Sequence, residues 1–489
     1  MARARIEPTI ILGPVLYFRG EQAERWRLSV LFILDGETEP EDLRVDGVGL
    51  AVPPRHVGSW KTRHVWRFDF AVPRGAEEST VTYGFEEGTR WRVTVPGIGA
   101  RVRIAYTSCN GVEDEATITD HPAPRNALWA DLFDRHAQYP FHLLLQGGDQ
   151  LYADAVWECP LIARWRARPA PARFEEPMEP AMAEEAMAFY FNHYLKTWGQ
   201  PEVAAVLSQV PSVMMWDDHD IFDGYGSHPE PMNRAPVLRG VAEVARRTFT
   251  MFQIGAPADD LPECVWGGPR GTFSQGFRVG AFGILAPDMR SERTPRRVFS
   301  DTTWHDLPLW LSRFEGCRHL LLLSSVPLLY ADTGGIERFL GRLPFRTGYE
   351  DDLRDQWRSH AHRSEWRRML KMLVNFSRAY GCRVTVLSGE VHAGGRAVLR
   401  GGGTEIWQLI SSGIVHPPPP RLYTAALERL AARPDQPMDG YSLEMPAFEE
   451  SGRRIIRQRN WLALTVTDRG RVIARWRAEG EPAIYEQAI

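Results

Sequence analysis

Two textures divide the chain. From Thr9 to Val95, apolar and polar residues alternate over short runs at Thr9–Phe18, Trp26–Leu34, Val65–Val72, Thr80–Phe85 and Arg90–Val95, with Gly, Pro and acidic turns between them. Alternation with a period of two marks half-buried strands, so this stretch predicts a small β-sandwich. Val95–Ala100 (VPGIGA) reads as a hinge, dividing residues 1–98 from a second domain over 99–489. Beyond it, short apolar runs occur at Arg103–Thr107, Phe141–Leu145, Ser212–Met215, Arg318–Leu323, Arg383–Leu387 and Glu405–Ile410. Helical stretches lie between them at Asn126–Gln138, Ala181–Lys196, Val237–Phe252 and Asp352–Ala379. Strands alternating with helices predict an α/β domain.

Two segments read as insertions. Ala167–Glu185 is rich in Pro, Ala and Glu, and His416 to Arg459 opens on HPPPPRLY. Long connections inside a compact domain serve as lids or binding loops. The aromatic helix Ala186–Trp198 between them is expected to pack in the core rather than to cover a substrate.

The residues that follow the apolar runs carry the chemistry. Ser108-Cys109-Asn110 follows the first, QGGDQLYAD (Gln146–Asp154) the second, and WDDHDIFDGYGSH (Trp216–His228) the third. SGEVH (Ser388–His392) and SSGIVH (Ser411–His416) follow the last two. Ligands of open α/β sheets bind outside the carboxyl ends of strands, so Cys, Asp, His and Glu would converge on one polar edge. Gly147, Gly148 and Gly389 let the backbone turn sharply there. Asp217, Asp218, Asp220 and Asp223 crowd beside His219 directly after a buried run. A cation, an arginine cluster or solvent must compensate them. Several carboxylates with imidazole and one thiol suit hard or borderline cations better than a thiolate-rich zinc site.

Composition narrows the field. With 58 Lys+Arg against 62 Asp+Glu the net charge is −4, which argues against a general nucleic-acid binder. Five cysteines without a CxxC pair point to a reducing compartment. The start MARARIEPTIILGPVLYF does not read as an export signal, and no run approaches the ~20 apolar residues of a spanning helix. A cytoplasmic protein is expected.

The ordered set SC, GDQLYAD, WDDHD and LSGEVH resembles the PhoD-like (alkaline phosphatase D) branch of the metallophosphoesterase superfamily, over about Arg101–Gly413. The resemblance implies an α/β/β/α sandwich of two mixed sheets behind the N-terminal β-sandwich. It implies two metal ions, iron and calcium in this branch with manganese or zinc as alternatives, held by Cys109, Asp149, Tyr152, Asp218, Glu390 and His392. His219 falls in the catalytic place, and Arg290, within DMRSER (Asp288–Arg293), falls near the site. Glu390 stands where the branch usually has Asp. The implied function is metal-dependent hydrolysis of phosphoric esters by in-line attack of a metal-activated water on phosphorus, with a phosphorylated small molecule or lipid as substrate. Asp217 and Asp220 are expected to orient His219 or to brace ligands. Rival readings are a phosphodiesterase acting in the manner of a phospholipase D, and a non-catalytic metal-binding scaffold.

Overall fold

The computed structural model describes residues 9–49, 51–332, 356–389, 391–480 and 485–489. Its core strands form two large mixed sheets. In the first, the strands run in the order Tyr485–Ala488, Val472–Ala478, Asn460–Val466, Val102–Thr107, Leu143–Gly147, Ser212–Met215, Thr9–Gln22, Arg25–Asp35, Arg63–Pro73 and Arg55–Trp60. The second centres on Phe282–Ala286, His319–Ser324, Arg383–Ser388 and Thr404–Ile410, which pair in parallel.

The apolar runs explain the layering. Ile104, Leu145, Val213 and Met215 of the first sheet face Ile284, Leu321, Leu387 and Leu409 of the second in one dry layer. Each such side chain contributes about 1.5–3 kcal/mol when fully removed from water. The opposite face of the first sheet is covered by helices that contribute Trp129, Tyr190, Phe191, Trp198 and Val241. Trp304, Leu307, Trp366 and Leu370 cover the outer face of the second. The result is the four-layer helix–sheet–sheet–helix sandwich that the resemblance implied. The aromatic helix Pro180–Trp198 packs in the core, with Tyr190, Phe191 and Tyr194 fully buried.

The N-terminal strands are where alternation predicts them, and a small sheet of Arg44–Val45, Ser79–Gly84 and Arg90–Val95 packs on them through Phe32, Phe85 and Trp91. The strand Thr9–Gln22 also pairs in parallel with Ser212–Met215, at Tyr17 opposite Ser212. The N-terminal strands therefore continue the sheet that carries the third motif.

Two helices differ from expectation. Pro236–Phe249 ends in a wide turn at Thr250–Ile254, closed by Gly255 at φ +63°. The last long helix spans Arg363–Tyr380. Before it, 356–362 form turns because Trp357 is buried and Arg358 donates to the Tyr330 carbonyl at 2.7 Å; residues 352–355 lie outside the described ones. The segment after His416 adds the helix Arg421–Ala431 and the hairpin Asp435–Glu444 to the edge of the second sheet. Among the described residues no helix is long and apolar enough to cross a membrane.

Candidate active site

Parallel register brings the strand ends to one edge. Ala105 pairs with Leu144 and Leu144 with Ser212, while Val384 pairs with Ile406 in the second sheet. The loops that leave these strands are then stitched together by their own backbone. Cys109 N donates to Gly148 O at 3.3 Å and Asn110 N to Asp149 O at 2.8 Å. Ser411 N donates to Ser388 O at 2.9 Å, and His416 N to Cys109 O at 3.2 Å. The glycines of the motifs permit this closeness. A Cβ on Gly147 would lie 1.9 Å from the Tyr106 hydroxyl, and one on Gly389 would lie 2.1 Å from the Ser108 hydroxyl. Gly148, at φ +109°, has the Asp217 Cβ 2.8 Å from where its own would be.

Strain is concentrated on the site residues. Cys109, Asp149 and His392 all hold positive φ, at 53°, 56° and 50°. Non-glycine residues avoid this region, and holding them there costs of order 1–3 kcal/mol each, which the surrounding loop contacts must offset. The strained backbone brings Cys109 against Asp149 and links both to the His392 loop through Ser412. Cys109 Sγ lies 3.5 Å from an Asp149 oxygen and 3.2 Å from the Ser412 hydroxyl, which also accepts from His392 N at 2.9 Å. The Tyr152 hydroxyl is buried beside the Cys109 thiol.

Asp220 organises the cluster. Its carboxylate accepts from Asp149 N at 2.9 Å, Leu151 N at 3.0 Å, Asp217 N at 2.9 Å and Gln253 Nε2 at 2.8 Å. So fully engaged, Asp220 ties the second motif's loop to the third and is not a ligand. Arg290 is fully buried and braces carboxylates from below. Its Nε donates to Asp217, another guanidinium nitrogen lies 3.2 Å from Asp218, and a third donates to Tyr225 O at 3.2 Å. Asp288 fixes the turn that delivers it, accepting from Trp216 Nε1 at 2.9 Å and from Arg290 N at 3.0 Å.

His219 is oriented by Asp154, not by Asp217 or Asp220. Its Nδ1 is 2.9 Å from Asp154, whose other oxygen accepts from Asp223 N at 2.7 Å. The His219 ring stacks on Tyr152 at 4.4 Å between centroids. Tyr152 stacks in turn on His416 at 5.8 Å, and His416 on His392 at 3.5 Å. Glu113 closes this column of rings, 3.0 Å from His416 Nε2 and 3.6 Å from His219 Nε2. Sequence patterns had marked neither Glu113 nor His416 as part of the site. The signal available was that SSGIVH leaves a core strand as the other motifs do.

Electrostatics makes the cluster suited to a cation. Burial first, and the Asp217 carboxylate next, push the Asp149 carboxyl well above its ordinary range. Burial and then His416 hold the His392 imidazole neutral, the form a metal ligand needs. Burial alone would lower His219, but Asp154 and Asp218 outweigh it and raise it. Glu113 is held low by His416 against the effect of burial. Asp149 Oδ1 and His392 Nδ1 are buried with no hydrogen-bond partner among the described residues. Asp149, Asp217 and Asp218 present oxygens within 4.8 Å of one another, and Glu113, His392 and His416 present a second such group. Two buried polar atoms without hydrogen-bond partners, inside a set of carboxylate, imidazole and thiol, fit metal ions. Arg290 faces Asp217 and Asp218, and Gly224 N donates to Asp218 at 2.9 Å, whereas no arginine pairs with Asp149 among the described residues. Glu390 lies outside the described residues.

Comparison with known proteins agrees with this geometry. A family model described as PhoD related phosphatase matches residues 100–348 and 333–431. The chain is 25% identical over 465 residues to the uncharacterized protein YGR266W of Saccharomyces cerevisiae (strain ATCC 204508 / S288c). That match covers 78% of this chain and 66% of the yeast protein, just under two thirds of its length. The fold is similar to that of PhoD, with a TM-score of 0.62 at 14% identity, covering 100% of this chain and 90% of the other. It is also similar to the purple acid phosphatase PPD1 of yellow lupin (Lupinus luteus) seeds, with a TM-score of 0.55 at 12% identity, covering 99% and 74%.

Proposed function

The chain belongs to the PhoD related phosphatase family, and on that premise we propose that it hydrolyses phosphoric esters at the edge where the motifs meet. The observation that carries this reading is the buried group of Cys109, Asp149, Asp218 and His392 facing an oriented His219. Metal ions held by these residues, with Tyr152 and Glu390 as further ligands, would supply Lewis-acid charge on the phosphoryl oxygens and an activated water.

The protein's own groups do the rest. The strained loops hold the ligand atoms rigidly, so little reorganisation is needed during reaction. Asp154 fixes the His219 ring through Nδ1, so Nε2, 3.6 Å from Glu113, would be the nitrogen that serves substrate. As water adds to phosphorus, the electron pair of the breaking P–O bond leaves with the alcohol oxygen. That oxygen takes a proton from His219, and the proton released by water restores it. General acid help of this kind contributes about 10²–10⁴-fold. Arg290 acts by holding Asp217 and Asp218 rather than by touching substrate. Turnover of 4-nitrophenyl phosphate and bis(4-nitrophenyl) phosphate, by wild type and His219→Ala side by side, tests the reading. Normal turnover in the variant on both substrates would refute the role of His219.

A further inference from the structure

A cavity of about 280 Å³ opens beside His219. At its inner end are Glu113 and Asp154, the two carboxylates that flank the ring's nitrogens. Much of the rest of its wall comes from the segment that directly follows Asp154: Trp157 on the turn Asp154–Glu158, Trp165 and Arg166 on the helix Pro160–Arg166, and Arg173 beyond it, with Asp223, His228 and Met232 completing it from the stretch after the third motif. The stretch that orients the proton donor thus also shapes the space a departing group would enter.

The chemistry of the wall is asymmetric. The inner acids are committed, Asp154 to His219 and to Asp223 N, and Glu113 to His416. The arginines carry no such ion pair, although Arg173 Nη1 also donates to the carbonyls of Arg166 and Arg168. Among the described residues neither Arg166 nor Arg173 has a carboxylate partner, and Arg173 Nε is buried without a hydrogen-bond partner. Arg166 lies 6.0 Å from the Trp157 ring centroid and Arg173 5.5 Å from that of Trp165, so indole faces and guanidinium groups line the outer part together. Flat apolar faces suit a ring, and uncompensated guanidinium suits an anion.

We infer that this cavity receives the leaving group of the ester, and that the favoured leaving group is a ring-sized alcohol bearing its own anionic substituent. The inference rests on the hydrolase reading above and adds the substrate class. The anionic end would meet Arg166 and Arg173 while the ester oxygen stays at His219.

Phenyl phosphate and 4-carboxyphenyl phosphate separate the two ideas, since they differ chiefly in the added charge. Hydroquinone bisphosphate supplies the same test with phosphate as the anion. A charge-assisted contact predicts that kcat/KM favours the anionic substrates by about tenfold or more. Arg166 is exposed, so Arg166→Glu can be made without disturbing the core, and the preference should then fall to one or below. A wild-type ratio near one for both anionic substrates, or a preference that survives Arg166→Glu, overturns the inference and leaves the hydrolase reading standing. Absence of hydrolysis for all three overturns both.

Discussion

The Nδ1 atom of His219 lies 2.9 Å from the Asp154 carboxylate, although 64 residues separate the two in the chain. Asp154 is itself fixed by Asp223 N, so the pair is held from both sides. Replacing Asp154 by Asn keeps the size of the side chain but loses the charge that orients the ring. The expected effect is a loss of about 10–100-fold in kcat with metal content unchanged, as for other carboxylates that orient a site imidazole. Steady-state kinetics alongside metal analysis checks this. A variant with normal kcat would assign the pair to folding alone.

Arg290 is expected to matter for the folded state before it matters for turnover. It is fully buried against Asp217 and Asp218, and removing one partner of such a group leaves charge stranded. Arg290→Ala should lower stability by about 3–5 kcal/mol, read from urea unfolding of metal-free protein. An arginine that only contacts substrate would leave that unfolding midpoint in place.

Asp220 makes a similar case for the loops. Asp220→Asn turns one acceptor into a donor facing the amides of Asp149, Leu151 and Asp217, so at least one buried N–H loses its acceptor. Each such loss costs about 1–3 kcal/mol. Because the same bonds place Asp149, metal affinity should fall by about 10–100-fold, measurable by titration with the metal that the purified protein carries. Unchanged affinity would mean that Asp149 is positioned independently of Asp220.

Stability should also depend on pH through His319, remote from the site. Its Nδ1 pairs with Gly470 O at 2.7 Å and its Nε2 with the Thr385 hydroxyl at 2.8 Å, tying the second sheet to a turn of the first. Burial depresses its pKa to about 4. The unfolded chain, near 6.5, binds the proton first, so stability is full above that value and falls as pH drops toward 4. The contribution of His319 is a loss of about 3 kcal/mol across that window, and His319→Gln should remove that share, leaving those of the similarly depressed His136 and His142. An equal pH slope in the variant would exclude His319 as the cause.

The strand ends and the order of their motifs were legible in the sequence, because apolar runs ending in Gly, Asp, His or Cys mark parallel strands opening onto a site. Alternation located the N-terminal strands as well, but not their neighbours. That Thr9–Gln22 lies beside Ser212–Met215 depends on which edge is left unpaired in the folded sheet. Spacing also did not decide which carboxylate serves His219. Asp217 and Asp220 are its neighbours in the chain, yet the tight turn at Asp218–Asp220 directs them at Arg290 and at backbone amides, leaving Asp154 to reach the ring. Glu113 belongs to no motif, and SSGIVH marked the strand end that carries His416 without showing its partner; the two meet only in the folded protein.

Whether the buried strand-end cluster holds metal is read from the metal content of the purified protein. Protein purified without added metal or chelator would be analysed by mass spectrometry beside Asp149→Asn. The structure predicts roughly one to two equivalents of iron, manganese, zinc or calcium in the wild type, as a paired-metal clamp requires, and clearly less in the variant. Wild-type protein that carries none of these metals and takes up none on reconstitution would contradict the account.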